Sequence, residues 1–199
     1  MTYIYFVRHA EPVHSWEDNC TRPLSEEGVE DCKKVTETLR NFHIDYFLSS
    51  PFKRSFDTIY EAAKESEKEI FTDPRFQERK KGINGNDHGM FQKRWADFNF
   101  CENGGESLGN VQRRNIEVLM EVLSKYANKN IVIGTHGTAL STIINYFQPS
   151  FKCEDFLRII DFMQYILRMD FENKSFIGMK EILIVKKEFK TENNKFRGN

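Results

Sequence analysis

Short apolar runs alternate with amphipathic helical segments along most of this 199-residue chain. The first run, residues 3–7, is rich in β-branched and aromatic residues bounded by polar ones, which is typical of a buried strand. A similar run covers residues 131–134, and a shorter one covers 45–50. Between these runs, apolar residues recur at helical spacing over 26–41 and again from about residue 108. This alternation predicts a three-layer α/β/α sandwich with a mostly parallel central sheet.

Two further helices are predicted from local signals. Ser50 followed by Pro51 predicts a helix start, because a capping residue and then proline at the first helical position favour that end. This helix is expected to run to about residue 66 and to carry Arg54 in its first turn. A later helix is predicted over residues 137–147.

No linker divides the chain, and its length suits one core, so we expect a single domain over residues 1–190. Within it, residues 71–107 are irregular and contain several glycines. Such a segment inside a compact domain is usually functional and is often a lid. Two late apolar runs, 162–171 and 176–186, predict antiparallel or edge strands. The tail, 191–199, is expected to fray.

Composition and charge exclude several classes of function. The net charge is −1, from 29 basic and 30 acidic residues, so the chain is not built to coat nucleic acid or an anionic membrane. The N-terminus shows neither a basic segment nor a long apolar one, and we therefore expect no secretory signal and no membrane span. The four cysteines form no C-x-x-C pair, which favours free thiols and a cytoplasmic location.

Polar residues directly follow two of the predicted strands. Arg8 and His9 come after the first run, and His136 and Gly137 come after the run at 131–134. Open α/β sheets bind their ligands at the carboxyl ends of the strands. We therefore expect two histidines and at least one arginine at one edge of the sheet.

These residue types suit phosphoryl transfer that needs neither a metal nor another cofactor. Neutral imidazole is a good nucleophile near pH 7, so His9 can attack phosphorus and form a phosphohistidine that water later cleaves. Arg8 and Arg54 offer planar, charged forks to the phosphate oxygens. His136 supplies a further donor, and a helix that opens at Gly137 presents backbone N–H groups to an anion.

Five motifs follow one another over about three quarters of the chain: 8–11 (RHAE), 23–28 (PLSEEG), 49–55 (SSPFKRS), 104–107 (GGES) and 135–137 (THG). This series resembles, in the same order, the motifs of the histidine phosphatase superfamily, which includes the cofactor-dependent phosphoglycerate mutases. The resemblance implies a phosphoglycerate mutase-like fold and His9 as the phosphorylated nucleophile, with Arg8, Arg54 and His136 binding the phosphate. In the family, the general acid follows an apolar residue by two positions and precedes a glycine by four, which points to Glu78 here.

The chain departs from the family's pattern at several positions. Ala10 replaces the usual glycine. Ser15 stands where the family usually has an asparagine that contacts phosphate, and its hydroxyl can still donate a hydrogen bond. Residues 83–86 lack the family's aromatic and acidic residues. Glu106 is therefore kept as a reserve acid, although we expect it to cap the following helix.

The sequence thus predicts a metal-independent phosphatase, a histidine acid-type phosphomonoesterase, acting on a small phosphorylated metabolite through phospho-His9. Zinc on His9 and His136 is disfavoured because arginines in the same pocket would repel a dication.

Two alternative functions stay open. A phosphoglycerate mutase would return the phosphoryl group to its substrate, although mutases of the family are usually longer than this chain. A non-catalytic phosphate-binding regulatory module would keep the pocket without turnover. The sequence identifies neither the physiological substrate nor the oligomeric state.

Overall fold

The computed structural model describes residues 1–187, which fold into a six-stranded sheet with helices on both faces. The strands are β1 (Thr2–Arg8), β2 (Tyr46–Ser49), β3 (Ile70–Thr72), β4 (Asn130–Thr135), β5 (Phe162–Glu172) and β6 (Ser175–Lys186). The helices are α1 (Glu26–Leu39), α2 (Lys53–Glu65), α3 (Met90–Ala96), α4 (Leu108–Lys125), α5 (Gly137–Phe147) and α6 (Cys153–Ile159). A 3₁₀ turn covers Pro74–Phe76.

The sheet is mostly parallel, with the strand order β3-β2-β4-β1-β5-β6. β1, β2, β3 and β4 pair in parallel, whereas β5 runs antiparallel to β1 and β6 runs antiparallel to β5. The predicted sandwich with a mostly parallel sheet is therefore confirmed. The two late runs form an antiparallel hairpin whose outer strand, β6, is an edge, as expected.

The central strands are apolar throughout because both faces of the sheet are covered. Successive side chains of a strand point to opposite faces. On β1, Ile4 and Phe6 pack in one cluster with the buried faces of α4 and α5. Tyr5 and Val7 pack in a second cluster with α1 and α2. Burial on both sides fixes the register of β1 and hence the position where it ends, at Arg8.

The structure corrects the predicted start of α2. The helix begins at Lys53 and its N-cap is Phe52, so Pro51 lies outside the helix. The hydroxyl of Ser50 accepts a hydrogen bond from the Phe52 N–H at 3.2 Å, and Phe52 itself is extended, with φ −67° and ψ 129°. Ser50 therefore closes a turn before the helix instead of capping it, and Arg54 still lies in the first turn.

The 71–107 segment contains short elements that the sequence pattern did not reveal, namely the 3₁₀ turn and α3, and β3 begins just before it. The sequence analysis also did not predict the helix α6.

The predicted frayed tail, 191–199, lies outside the described residues. All four cysteines are free thiols, and within residues 1–187 no helix is long and apolar enough to cross a membrane.

Candidate active site

The carboxyl ends of β1 and β4 bring the two predicted histidines together. The strands are parallel neighbours with Arg8 opposite Thr135, and the His9 N–H donates to the Thr135 carbonyl at 3.1 Å. The imidazole centroids of His9 and His136 are 5.3 Å apart. A cleft of about 940 Å³ opens over this edge, and Arg8, His9, Arg54 and Glu78 line it. His136 is fully buried beside His9.

The backbone fixes the tautomer of His9. Its Nδ1 lies 2.7 Å from the carbonyl oxygen of Ala10, and a carbonyl can only accept a hydrogen bond. Nδ1 therefore carries the proton of the neutral ring, and Nε2 keeps its lone pair. Burial lowers the pKa of His9 well below its usual range, and the charges of Arg54 and Arg8 lower that pKa further. The imidazole is thus neutral and nucleophilic near pH 7.

Arg8 is held by the turn between α6 and β5. Its Nη1 donates to the carbonyls of Ile159 and Phe162, both at 2.7 Å, while its buried Nε has no partner in the described structure. Burial lowers the pKa of Arg8 to about 10, so the side chain stays charged at neutral pH. A Cβ on Gly137 would lie only 3.2 Å from this Nε. The start of α5 therefore packs closely against the guanidinium.

Arg54 enters the cleft from the first turn of α2. Its Nη1 donates to the carbonyl of Asn19 at 2.7 Å, and its guanidinium lies 5.1 Å from the ring centroid of Phe52. Burial lowers its pKa to about 10, and the nearby carboxylate of Glu78 opposes that shift. Thr58 ties this helix to the residue after His9, because its hydroxyl donates to the Arg54 carbonyl at 2.6 Å and accepts from the Ala10 N–H at 3.0 Å.

His136 is oriented by Ser50, a contact that the sequence analysis did not assign. Its Nε2 lies 2.8 Å from the Ser50 hydroxyl oxygen, and that oxygen already accepts from the Phe52 N–H. The Ser50 O–H can donate to Nε2, and in that tautomer the proton of His136 is on Nδ1, a buried atom without a partner in the described structure. Burial, together with Arg54 and His9, lowers the pKa of His136 well below its usual range. Its Nδ1–H can donate to a phosphate oxygen.

The carboxylate of Glu78 lies at the start of α5. One oxygen accepts from the Thr138 N–H at 3.0 Å, and the other accepts from the Arg79 N–H at 2.7 Å. Each oxygen keeps a second lone pair that can hold or accept a proton. Glu78 is also close enough to oppose the lowering of the pKa of both Arg8 and Arg54. The structure thus brings the predicted acid to the same cleft as the predicted nucleophile.

Glu106 does not cap α4, which corrects the expectation from the sequence. The N-cap is Ser107, whose hydroxyl accepts from the Asn110 N–H. The carboxylate of Glu106 instead forms two hydrogen bonds, at 2.8 and 2.9 Å, with the guanidinium of Arg114 on α4. Arg114 also donates to the carbonyls of residues 75 and 77, at 2.6 and 2.8 Å. This pair therefore holds the chain that presents Glu78.

The other predicted phosphate ligands differ in their positions. Gly137 lies beside Arg8, at the start of α5. Ser15 is exposed and does not line the cleft, although its neighbours His14 and Glu17 do. Its role in binding phosphate stays a prediction, and its position does not support that role.

Ser50 was missed in the sequence, although it directly follows β2. The expectation that strand ends carry the ligand-binding residues, which we applied to His9 and His136, would have identified it.

Within residues 1–187, no three His, Cys, Asp or Glu side chains are grouped closely enough to hold a metal ion.

Comparison with known proteins decides the family. The model of the histidine phosphatase superfamily (branch 1) matches residues 4–176. The chain belongs to this superfamily. Membership confirms the predicted family and, as the class of reaction, a phosphatase of the phosphohistidine type.

Individual members resemble the chain to different degrees. Phosphoserine phosphatase 1 of Hydrogenobacter thermophilus is 29% identical over 157 residues, which cover 68% of this histidine phosphatase and 71% of that protein. Phosphoserine phosphatase of Entamoeba histolytica, solved with 3-phosphoglyceric acid, superposes with a TM-score of 0.76 at 19% identity, covering 92% and 98% of the two chains. A mycobacterial glucosyl-3-phosphoglycerate phosphatase gives 0.72 at 16% identity, covering 90% and 96%. At these identities, the solved structures show the fold alone.

Proposed function

We propose that this histidine phosphatase is a metal-independent phosphomonoesterase in which His9 is the nucleophile. The observation that carries the proposal is the hydrogen bond from His9 Nδ1 to the Ala10 carbonyl, which leaves the Nε2 lone pair free in a histidine that lines the same cleft as Arg8 and Arg54. Unpartnered, buried N–H groups on Arg8 and His136 are suited to the phosphate oxygens. A small phosphorylated metabolite suits a cleft of about 940 Å³.

The reaction has two displacements. His9 Nε2 forms a bond to phosphorus while the ester P–O bond breaks, and a protonated Glu78 gives its proton to the departing oxygen. The same carboxylate then takes a proton from water, whose oxygen attacks phosphorus and releases His9 as the P–N bond breaks. Arg8, Arg54, His136 and the N–H groups of α5 hold the equatorial oxygens in both steps. We place this enzyme in the cytoplasm, where its free thiols would persist.

Trapping the intermediate tests the role of His9. A phosphomonoester labelled with radioactive phosphorus is mixed with enzyme in the presence of EDTA and quenched in alkali, in which phosphohistidine survives. We expect label on His9 and a loss of at least ~10³-fold in kcat for His9→Ala, because a nucleophile is removed. His88→Ala, which replaces an exposed histidine outside the cleft lining, is the matched control. Product release by wild type without a labelled His9 would contradict the proposal.

The leaving group tests the role of Glu78. For Glu78→Gln we expect a ~10²–10⁴-fold loss of kcat on alkyl phosphates such as phosphoserine, since a poor leaving group needs its proton. The loss on p-nitrophenyl phosphate is expected to be far smaller. An equal loss of kcat on both substrates would show that Glu78 is not the general acid.

A second measurement separates the phosphatase from a mutase. If wild type interconverts 2- and 3-phosphoglycerate faster than it releases phosphate, the enzyme is a mutase.

A further inference from the structure

Two backbone carbonyls that hold Arg8 belong to a turn that has no part in the two displacements. Arg8 Nη1 donates to the carbonyl of Ile159, the last residue of α6, and to that of Phe162, the first residue of β5, both at 2.7 Å. Residues 159–162 are named here the α6–β5 turn. The guanidinium of an arginine is a planar, rigid fork, so a shift of either carbonyl would rotate the N–H groups that Arg8 offers to the phosphate.

A pocket of about 280 Å³ lies behind the α6–β5 turn, between α5, α6 and the β5–β6 hairpin. Its lining, which includes Ile144, Ile159, Tyr165 and Leu167, shares no residue with the lining of the cleft, and it is named here the rear pocket. Tyr165 pairs with Arg8 in the β1–β5 ladder. Side chains next to a space of this size lose packing contacts on that side. The turn therefore needs a restraint of another kind at the rear pocket.

One carboxylate in the rear pocket links the two sides of the α6–β5 turn. The Oε1 atom of Glu181, on β6, accepts a hydrogen bond from the Tyr165 hydroxyl and another from Arg158 Nη2, each at 2.8 Å. Arg158 directly precedes Ile159, and Tyr165 lies on β5 shortly after Phe162. The carboxylate thus fixes α6 and β5 relative to each other beside the two carbonyls that hold the guanidinium.

The link through Glu181 is stronger than an ordinary surface ion pair. The side chains of Arg158 and Glu181 are 50% and 34% exposed, and such a pair alone contributes at most about 1 kcal/mol. Tyr165, however, is only 1% exposed, so its hydroxyl depends on the carboxylate for a partner. Burial acts to raise the pKa of Glu181, but the hydrogen bonds from Arg158 and Tyr165 outweigh it and lower that pKa. The carboxylate is therefore ionised at neutral pH.

The main chain of β6 reaches the same turn. The Lys187 N–H donates to the Asp161 carbonyl at 3.1 Å, and Lys186 is paired with Phe162 in the β5–β6 ladder. The Arg158 guanidinium also lies 5.3 Å from the ring centroid of Phe162. The strand thus holds the turn through its backbone at one end and through Glu181 at the rear pocket.

We infer that Glu181 is a positioning residue for phosphate binding, because it holds the turn whose carbonyls orient Arg8. It acts through Arg158 and Tyr165 and, lying outside the cleft lining, does not touch the substrate. This inference rests on the proposed function, in which Arg8 binds the phosphate.

Titration calorimetry with inorganic phosphate as the probe tests the role of Glu181 in the full chain. We expect Glu181→Ala to raise the dissociation constant of phosphate ~10-fold, since a misdirected Arg8 loses about one charge-assisted hydrogen bond. Glu181→Gln keeps an acceptor for both partners and should recover part of the loss. Asp170→Ala is the matched control and should bind phosphate as wild type does. Asp170 pairs with Arg168 on the same hairpin but lines neither the rear pocket nor the cleft.

A double-mutant cycle shows whether Glu181 acts through Arg8. Lysine has no planar fork to misalign, so in the Arg8→Lys background we expect Glu181→Ala to change the phosphate affinity less than ~2-fold. The same ~10-fold loss in both backgrounds would show that Glu181 acts independently of Arg8 and would overturn the inference. Should Glu181→Ala fail to fold, Arg158→Met takes its place in the cycle, because it breaks the same link at a half-exposed side chain.

The failure of this inference and that of the proposed function are distinguishable. If wild type labels His9 and binds phosphate, and Glu181→Ala binds phosphate equally well, Glu181 has no positioning role and the phosphatase stands. If folded wild type neither binds phosphate nor hydrolyses p-nitrophenyl phosphate, the proposed function itself fails.

Discussion

The two imidazoles of the candidate active site leave different nitrogens free, although the proton of each is assigned to Nδ1. His9 faces a carbonyl, which only accepts, so its proton is on Nδ1 and its Nε2 keeps the lone pair. His136 Nε2 lies beside the hydroxyl of Ser50, which can both donate and accept, and we assign the hydroxyl as the donor because this leaves a proton on Nδ1, the nitrogen without a partner in the described structure. With this assignment one histidine offers a lone pair and the other a donor, as the proposed reaction requires.

Replacing Ser50 tests this assignment. In Ser50→Ala the proton of His136 is no longer directed to Nδ1, so the donor to the phosphate is lost in part of the molecules. We expect kcat/KM to fall by ~10–100-fold, the cost of one buried hydrogen bond to a charged group. Ser49→Ala is the control, because its buried hydroxyl contacts Ser55 at 3.2 Å instead of the site. Equal values of kcat/KM in the two variants would contradict the assignment.

At the scale of secondary structure, the geometry of the candidate active site depends on how closely α5 approaches the end of β1. The first residue of α5, Gly137, lies against Arg8, whose Nη1 is fixed by two carbonyls and cannot easily move away. Arg54 lies in the first turn of α2, where a cation opposes the helix dipole. Both helices thus place cations at unfavourable positions, which a bound anion would relieve.

The substitution Gly137→Ala is expected to weaken phosphate binding without lowering the stability of the protein. The added Cβ lies 3.2 Å from Arg8 Nε and must push the guanidinium away, so we expect inorganic phosphate to bind ~10-fold or more weakly. Alanine is a better helix former than glycine by up to about 1 kcal/mol, so the melting temperature should not fall. Titration calorimetry and thermal unfolding measure the two effects.

Gly178→Ala provides the control for this experiment, because nothing lies within 4 Å of a Cβ at that position. We expect it to bind phosphate as wild type does. Unchanged phosphate affinity in Gly137→Ala would show that the close approach to Arg8 is not needed.

Long helices could be predicted from the sequence more accurately than short helices and helix starts. α5 was predicted with its observed bounds, 137–147, because it follows a buried strand and its apolar pattern is long. The helices α3 and α6 were missed because each has only seven residues, too few to show helical spacing. The start of α2 was misplaced because the Ser50 hydroxyl serves a turn and His136, which depends on tertiary contacts.

Side-chain partners were the least predictable part of the site. Strand ends placed His9 and His136 correctly beside each other because parallel neighbours end at one edge. Glu106 was expected to cap a helix, but it pairs with Arg114, a guanidinium from inside that helix whose other contacts are carbonyls near residue 76. Likewise, nothing in the local pattern around Glu102 reveals that two arginines converge on it.

At the scale of the whole molecule, folding buries two neutral imidazoles among guanidiniums, and this makes stability depend on pH. The pKa of His9 and that of His136 are both well below 6.5 in the folded chain. Unfolded histidine has a pKa of about 6.5, so below that pH the unfolded state binds more protons. The stability contributed by neutral burial is therefore fully present above about pH 6.5 and declines as the pH falls toward the folded pKa values.

We expect the free energy of unfolding to fall by ~1.4 kcal/mol per pH unit for each of these imidazoles below about pH 6.5. Urea unfolding between about pH 7 and pH 5 measures the slope. His136→Asn removes one of the two groups, so its slope should be smaller by about one such increment even if its stability at pH 7 is lower. His88→Asn, which changes an exposed histidine, should keep the wild-type slope.

Carboxylates with lowered pKa values, such as Asp73, reduce the free energy of unfolding only at lower pH, because their ordinary pKa is near 4. Parallel pH profiles for His136→Asn and wild type would therefore show that this imidazole binds a proton as readily in the folded as in the unfolded protein, and the lowered pKa assigned to it would be wrong.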